Sequence, residues 1–168
     1  MAEVSNSNLY QLKAGTHDFS GACVVLVRTE WNAVIVDELE KGCRSKLQEF
    51  AVKEIITITV PGAVEIPFAV KTYWENKSRH IHTRPHAFIT LGCVVRGDTP
   101  HFDYVCKAVT DGITQLNLTI DVPTILGVLT VDHQQQAEER IGGKHGHKGE
   151  ESAITALKMI VLNLSLRK

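Results

Sequence analysis

Ala87-Phe-Ile-Thr-Leu-Gly-Cys-Val-Val95, followed by Arg96-Gly-Asp-Thr-Pro-His101, is the stretch from which the architecture can be inferred most directly. An apolar run of this length, interrupted only by Thr90, is typical of a strand that is buried on both faces of a sheet. Polar turn residues then lead into a helix that we predict from about residue 101 to residue 118. A buried strand joined to a helix by a short turn is the repeating unit of an α/β fold.

The same order of strand, turn and helix recurs along the chain. Further apolar runs predict strands at residues 22–28, 54–60 and 124–130. Helical periodicity predicts helices at residues 32–50, through residues 65–74, near residues 134–141 and around residues 150–164. Asn32 is the expected N-cap of the first helix. We therefore predict an α/β fold in three layers, with helices on both faces of a four-stranded parallel sheet.

Composition and charge limit the domain count and the class of partner. The 168 residues are 43% hydrophobic and 22% charged, which suits one domain with a core but not two. We expect this domain at residues 21–168, after an N-terminal extension at residues 1–20. Lysine plus arginine number 18 against 19 acidic residues, so neither nucleic acid nor a membrane is an expected partner. The N-terminal residues lack a signal-peptide pattern, which predicts a cytoplasmic location.

Cysteines and histidines give little reason to expect a metal site. The widely spaced Cys23, Cys43, Cys93 and Cys106 lack zinc-site spacing, and we expect reduced, buried thiols. The basic connection at residues 75–85 reads most simply as a solvated loop. The alternative is a metal site, because the spacing of His80, His82 and His86 could hold a metal.

The first two strand-to-helix turns carry residues that a core would not select. In a parallel sheet such turns open at the carboxyl ends of the strands, where ligands bind. Trp31 in the first turn could stack on a planar heterocycle, or it could close the end of the core. Pro61 and Gly62 stiffen the second turn, ahead of Glu65 near a helix start. A carboxylate there is favoured by the helix dipole and could accept hydrogen bonds from sugar-like hydroxyls.

The third turn predicts an anion site. Gly97 would let the backbone approach an anion closely, and we expect Asp98 and Thr99 to open a helix whose free N–H groups attract phosphate. An imidazole exchanges protons near neutral pH, so His101 is a candidate general acid or base. The alternative for His101 is a capping or surface role.

Cations are concentrated in Arg140-Ile-Gly-Gly-Lys-His-Gly-His-Lys-Gly149. We interpret this segment as an anion clamp on a flexible, glycine-rich bend, in which Arg140 grips phosphate with two parallel hydrogen bonds. A mobile, basic surface hinge is the alternative. His145 and His147 are a weak signal for a metal, because no carboxylate or thiolate accompanies them.

Taken in this order, the turns resemble the lumazine synthase family. The resemblance spans residues 22–164 and rests on motifs that are long enough to be specific. They are Glu30-Trp-Asn32, Val60-Pro-Gly-Ala-Val-Glu-Ile-Pro67, Gly92-Cys-Val-Val-Arg-Gly-Asp-Thr-Pro-His-Phe-Asp-Tyr-Val-Cys106, Pro123-Thr-Ile-Leu-Gly-Val-Leu-Thr130 and Glu139-Arg-Ile-Gly-Gly-Lys144. The resemblance implies a flavodoxin-like strand order. It also implies condensation of a ribitylaminopyrimidinedione with a butanone phosphate, without a metal or organic cofactor.

The resemblance further implies roles for individual residues. The heterocycle would stack on Trp31, and the ribityl chain would contact Ala63 and Glu65. His101 matches the family's proton-transfer residue, and Arg140 would bind phosphate with backbone amides. The full expected set of substrate-binding residues is Trp31, Asn32, Ala63, Val64, Glu65, Cys93, Val94, Val95, Gly97, Asp98, Thr99, Leu126, Arg140 and Glu151. Lys148 joins His101 and Arg140 as an expected catalytic residue.

Family members are pentamers with active sites between neighbours, which implies that Leu126 completes the pocket across an interface. The short bend at residues 142–146 resembles that of members that assemble twelve pentamers into a shell. The N-terminal extension is expected to add a strand to a neighbour's sheet. Val64 and Leu126 stand where some relatives carry phenylalanine, so stacking would depend mostly on Trp31. A non-catalytic flavin-binding, lumazine-binding or shell-forming protein, or a flavodoxin-like carrier, is the alternative function.

Overall fold

Strands and helices alternate along the chain in a computed structural model that describes residues 7–80 and 84–167. The elements are β1 (Cys23–Thr29), α1 (Ala33–Glu49), β2 (Glu54–Val60), α2 (Ile66–Lys77), β3 (Ala87–Val95), α3 (His101–Thr119), β4 (Thr124–Val131), α4 (Gln134–Glu138), β5 (Ile141–Gly143), β6 (Gly146–His147) and α5 (Lys148–Leu166). Each of the strands β1 to β4 begins and ends within one residue of its predicted bounds. The apolar runs therefore predicted the strands well.

The four long strands form one parallel sheet in the order β2-β1-β3-β4. Side chains alternate between the faces of a strand, so β1 sends Val24 and Leu26 to one face and Val25 and Val27 to the other. Helices α1 and α5 cover the first face, and α2 and α3 cover the second. The predicted three-layer α/β fold with flavodoxin-like order is confirmed.

The glycine-rich segment after α4 is a short hairpin and not the flexible bend that we predicted. Strands β5 and β6 pair antiparallel, with Ile141 opposite His147 and Gly143 opposite Gly146. Gly142 and Gly146 have φ values of +110° and +81°, a backbone conformation that favours glycine. Because pairing begins at Ile141, α4 ends earlier than predicted.

Residues 7–20 lie along the domain without forming a strand. A single 3₁₀ turn at Leu9–Gln11 is followed by irregular chain, and Lys158 Nζ of α5 donates to the Asn8 carbonyl at 2.8 Å. Phe19 is buried beside Phe50, with ring centroids 6.2 Å apart. Residues 7–20 thus form no strand within the subunit, the expected pairing with a neighbour's sheet stays a prediction, and residues 1–6 lie outside the described part of the chain.

His86 has a structural partner. Its Nδ1 accepts a hydrogen bond from the backbone N–H of Cys23 at 3.0 Å, which links the first residues of β1 to the start of β3. Burial is the largest cause that lowers the pKa of His86. No group of histidine, cysteine and acidic side chains in residues 7–80 and 84–167 could hold a metal ion. His82 lies outside those ranges.

The cysteines are free, as predicted. Cys23, Cys43 and Cys93 are buried, and Cys106 is half-buried. Burial raises the pKa of the Cys23 thiol to about 11 and that of Cys93 to about 11. The expectation of reduced, buried thiols therefore fits Cys23, Cys43 and Cys93, whereas Cys106 is less buried than expected. Among the helices described, none has the length and apolar content needed to cross a membrane.

Ala51 provides a test of backbone strain at the end of α1. Its φ of +62° is costly for a residue with a Cβ, by about 1–2 kcal/mol, whereas glycine adopts this conformation without strain. Glycine also makes the unfolded chain more flexible, which offsets about 0.5–1 kcal/mol of the strain that the substitution relieves. We expect Ala51→Gly to raise the free energy of unfolding in urea by about 0.5–1 kcal/mol.

Ala108→Gly is the matched control, because Ala108 is exposed within the regular helix α3. Glycine at that position is expected to lower the free energy of unfolding by about 1 kcal/mol. Equal losses in the two variants would contradict a strained backbone at Ala51.

Candidate active site

A cavity of about 540 Å³ opens at the carboxyl ends of β1, β2 and β3. We call it the strand-end cavity. Its lining contains many of the predicted substrate-binding residues and the predicted proton-transfer residue. The lining residues are Thr29, Trp31, Asn32, Gly62, Ala63, Val64, Glu65, Cys93, Val94, Val95, His101 and Val105. The turns that follow three different strands therefore meet at one concave surface, as the parallel topology requires.

Trp31 presents its ring to this cavity and does not close the core. Its side chain is 71% exposed, which contradicts the alternative role of a core plug. A Cβ added to Gly62 would lie 3.6 Å from Trp31 Cδ1 and 3.0 Å from Glu65 Oε2. Gly62 thus lets the indole ring and the carboxylate lie close to the backbone of the second turn. The site offers a flat apolar surface next to a hydrogen-bond acceptor.

Asn32 joins the first turn to β3. Its φ of +55° is left-handed, and its side-chain Nδ2 donates to the Cys93 carbonyl at 2.8 Å. Asn32 therefore occupies the predicted N-cap position of α1, but its side chain makes no capping hydrogen bond, because the amide donates to Cys93 and not back to the helix. The backbone carbonyl of Asn32 still accepts the first helical hydrogen bonds, from Ile35 and Val36. This amide links the turn after β1 to β3 within the lining of the strand-end cavity.

The loop between β3 and α3 is tied down by Arg96. Its Nε donates to Asp132 at 2.8 Å and its Nη1 to Asp103 at 3.2 Å, while Cζ lies 4.1 Å from the ring centroid of Phe102. These ion pairs are exposed, so each contributes little to the free energy of folding. Together they connect the end of β4 to the first turn of α3 and restrain the loop between them.

Helix α3 begins at His101, as predicted, and Asp98 and Thr99 lie just ahead of its first turn. Pro100 occupies the N-cap position, and Gly97, Asp98 and Thr99 form an exposed bend before it. This bend does not line the strand-end cavity, although His101 does. The first-turn N–H groups of α3 have no carbonyl partner four residues back, so an anion ahead of the helix would be favoured.

Leu126 and Lys148 lie in a different cavity. This space of about 750 Å³, which we call the α3–α5 cavity, lies between α3, β4 and α5. Its apolar lining includes Leu126, Met159 and Leu162, all partly exposed. Within one subunit the structure therefore does not bring Leu126 or Lys148 to the strand-end cavity.

Arg140 is buried, which contradicts the alternative of a mobile, basic surface hinge. It is 5% exposed, and its Nη2 contacts Glu151 Oε2 at 2.9 Å. Its Nη1 also donates to the carbonyl of His145. Lys148 Nζ lies 3.9 Å from the same Glu151 oxygen. Two cations thus share one carboxylate, which leaves this cluster with a net positive charge.

Burial lowers the pKa of Lys148 in this cluster. Removal from water is the largest cause that lowers the pKa of Lys148, and Arg140 lowers it further while Glu151 opposes the shift. An ammonium group that is poorly solvated gains more from an incoming anion than one in bulk water. The cluster is therefore chemically suited to bind a phosphate.

Sequence reasoning missed Thr29, Gly62 and Val105 as lining residues. Val105 lies four residues after His101 on α3, so the two share one helix face. That spacing could have identified it. Thr29 gave no such signal, because a threonine that ends a buried strand is ordinary.

Asn32 generates a stability prediction. Asn32→Ala removes the hydrogen bond to Cys93. It also places alanine at a left-handed φ, where its Cβ is strained and no side-chain amide compensates. We expect it to lower the free energy of unfolding by about 2–3 kcal/mol. Asn32→Gly removes only the hydrogen bond and is expected to cost about 1 kcal/mol. Urea unfolding of the two variants would measure the difference, and an equal loss would show that the backbone at Asn32 is unstrained.

Known proteins were compared with the whole chain. The sequence profile of a family described as 6,7-dimethyl-8-ribityllumazine synthase matches residues 21–163. A protein of that name from Parabacteroides distasonis is 48% identical over 145 residues, which cover 85% of this chain and 87% of the relative. One from Porphyromonas gingivalis is 52% identical over 132 residues, covering 77% and 78%. One from Cytophaga hutchinsonii is 39% identical over 158 residues, covering 93% and 96%.

These matches include every turn that lines the strand-end cavity and the segment that carries Arg140 and Lys148. They also agree with the resemblance inferred from the motifs. The chain belongs to the 6,7-dimethyl-8-ribityllumazine synthase family.

Proposed function

We propose that this chain condenses 5-amino-6-(D-ribitylamino)pyrimidine-2,4-dione with 3,4-dihydroxy-2-butanone 4-phosphate. The products are 6,7-dimethyl-8-ribityllumazine, phosphate and water, and the reaction is the penultimate step of riboflavin biosynthesis. Family membership supports this reaction. The observation that carries it is that an exposed indole, Trp31, and an imidazole, His101, line one cavity at the strand ends.

The strand-end cavity suits the pyrimidine substrate. Trp31 would stack on the flat ring, and the backbone at Cys93, Val94 and Val95 would hydrogen-bond to its polar edge. Glu65 would accept hydrogen bonds from ribityl hydroxyls, next to Ala63 and Val64. The volume of about 540 Å³ falls in the usual range for a site that buries a small ligand.

His101 is proposed to move protons as the bonds change. The pyrimidine amine attacks the ketone, and an imine forms with loss of water. Phosphate then leaves to give an enol, which tautomerises to a ketone. The ribityl-bearing nitrogen closes the ring and a second water is lost. A positioned imidazole is worth about a hundred- to ten-thousand-fold in such steps, and holding two substrates together supplies further rate.

The phosphate group is proposed to lie between two subunits. In one subunit, the bend at Gly97, Asp98 and Thr99 would offer backbone N–H groups and the threonine hydroxyl. Within one subunit Lys148 lines the separate α3–α5 cavity, and Arg140 is not among the residues that line the strand-end cavity. We propose that an adjacent subunit supplies them. Glu151 would orient Arg140, whose terminal nitrogens each keep a second N–H for the phosphate.

Exposed apolar side chains support this shared site. Trp31 and Val64 are exposed at the strand-end cavity, and Leu126 and Met159 are partly exposed at the α3–α5 cavity. Two such surfaces would exclude water if they met. The resemblance to the family further implies a pentamer of this chain, and the short hairpin β5–β6 favours its assembly into a shell of sixty subunits. An extension at residues 1–20 and a cytoplasmic location also remain predictions. Native mass spectrometry would measure the assembly.

A complementation experiment tests both the reaction and the shared site. His101→Ala and Arg140→Ala chains, each inactive alone, would be coexpressed with different affinity tags and purified through both tags. Random mixing places an intact His101 beside an intact Arg140 at about a quarter of the interfaces of a cyclic oligomer. We therefore expect about a quarter of the wild-type rate of phosphate release.

The matched control pairs Trp31→Ala with His101→Ala, because both side chains line the same cavity and no interface then carries an intact pair. We expect no recovery in this control. Lys148→Gln can replace Arg140→Ala if removal of the buried arginine prevents folding. Absence of phosphate release by the wild-type chain would refute the reaction, whereas an active wild type without recovery in the mixed particles would refute the shared site.

Lys148 generates a prediction on pH dependence. Because burial lowers the pKa of Lys148, its ammonium loses its proton at a lower pH than an ordinary lysine. Inhibition by inorganic phosphate should therefore weaken as the pH rises, before the value of about 10.4 for a free lysine is reached. Lys148→Arg keeps the charge and should remove this alkaline limb. Lys41→Arg on α1 is the control, since Lys41 is exposed, and an unchanged limb in Lys148→Arg would contradict the assignment.

A further inference from the structure

The imidazole of His147 packs directly against the backbone of α1. At Gly42, in the middle of that helix, an added Cβ would lie 2.7 Å from His147 Nδ1 and closer still to two other ring atoms. Real Cβ atoms do not approach so closely, so the ring occupies the space that any other residue at position 42 would fill. Gly42 itself is buried in the interior face of α1.

A second glycine permits the same close contact from the side of α5. An added Cβ at Gly149 would lie 2.9 Å from the carbonyl carbon of Leu39 and 3.1 Å from His147 Cε1. The first turn of α5 therefore lies on the backbone of α1, and the His147 ring fits between Gly42 and Gly149. The hairpin β5–β6 is thus fixed against α1 at its last residue.

This hairpin joins the cations proposed to bind phosphate. Arg140 directly precedes β5, and Lys148 directly follows His147. The backbone N–H of Lys148 donates to the Arg140 carbonyl at 2.8 Å, and the His145 carbonyl accepts from the Arg140 guanidinium. A shift of the hairpin away from α1 would therefore move both cations.

At Nδ1 the contact depends on the shape of the ring and not on a hydrogen bond. His147 Nδ1 is buried and has no hydrogen-bond partner among the described residues. An unpartnered buried nitrogen contributes no favourable hydrogen bond and costs free energy. A flat apolar ring of similar size could therefore make the same contact with Gly42.

We propose that His147 is a positioning residue for phosphate binding: its ring, seated between Gly42 and Gly149, fixes the hairpin so that Arg140 and Lys148 face the phosphate. This inference rests on the proposed function. It assigns His147 no contact with substrate and no proton transfer. If His147 only stabilised the domain, its substitution would change the KM values for the two substrates to a similar extent.

The experiment compares His147→Ala, His147→Phe and Gly42→Ala. For each variant the KM values for both substrates, kcat and the dissociation constant of inorganic phosphate would be measured. We expect His147→Ala and Gly42→Ala to weaken phosphate binding and raise the KM for the butanone phosphate by about tenfold, the loss of one well-placed contact. The KM for the pyrimidine should change less than about twofold, a difference within the noise of independent sites.

His147→Phe restores a flat ring without the unpartnered nitrogen, and we expect phosphate binding close to that of the wild type. Gly42→Ala is informative in a further way, because alanine raises intrinsic helix stability by about 1 kcal/mol and could not weaken the site by unravelling α1. Gly21→Ala is the matched control, since an added Cβ there meets nothing within 4 Å.

Three results would overturn the proposal. They are unchanged phosphate binding in His147→Ala, equal losses for both substrates, and a phenylalanine variant as weak as the alanine variant. If His147→Ala does not fold, Gly42→Ala and His147→Phe decide the matter. Failure of the proposed function is separate: the wild-type chain would then release no phosphate from the substrates, while binding of inorganic phosphate and hydrogen exchange at the Lys148 amide would still test the hairpin.

Discussion

The parallel pairing of β1 with β3 forms the centre of the sheet and positions the turns that line the strand-end cavity. Val24 to Val27 of β1 pair with the first half of β3, and Val24, Val25, Leu26 and Val27 are fully buried. Burial on both faces forces helices onto both sides of the sheet and sends the following turns to one edge. The Asn32 amide then joins the two strands at that edge. Trp31 and His101 come together because the strands that precede them are neighbours.

The charged residues Arg140 and Glu151 are buried, whereas the ring of Trp31 is exposed. Arg140 and Glu151 are removed from water, and a buried charge is tolerated only when it is paired. The pair holds Arg140 in one orientation, while Lys148 adds a second positive charge with incomplete solvation. A net positive cluster in such surroundings gains from a phosphate dianion. The hairpin β5–β6 joins Arg140 to Lys148, and Gly42 and Gly149 allow this hairpin to pack closely against α1.

In the proposed shared site, each of the two cavities would supply a different part of the active site. One carries the surface for a planar ring and the imidazole, and the other carries exposed leucine and methionine side chains and a lysine. Each leaves apolar groups in water that contact with a second copy would cover. In the proposed assembly, association and catalysis therefore depend on the same side chains.

Local sequence patterns were enough to predict the strands, the three layers and the residues at the strand ends, because apolar periodicity and turn composition are local properties of the chain. Trp31 and His101 could be placed at one edge on these grounds alone. The tertiary structure decided what local patterns do not contain: that the Asn32 amide binds Cys93 and not its own helix, and that Arg140 is buried against Glu151. It also decided that the glycine-rich segment is a hairpin held by His147. Each of these three features depends on a partner that is distant in sequence, or on the space that a glycine leaves. Local sequence patterns contain neither kind of information.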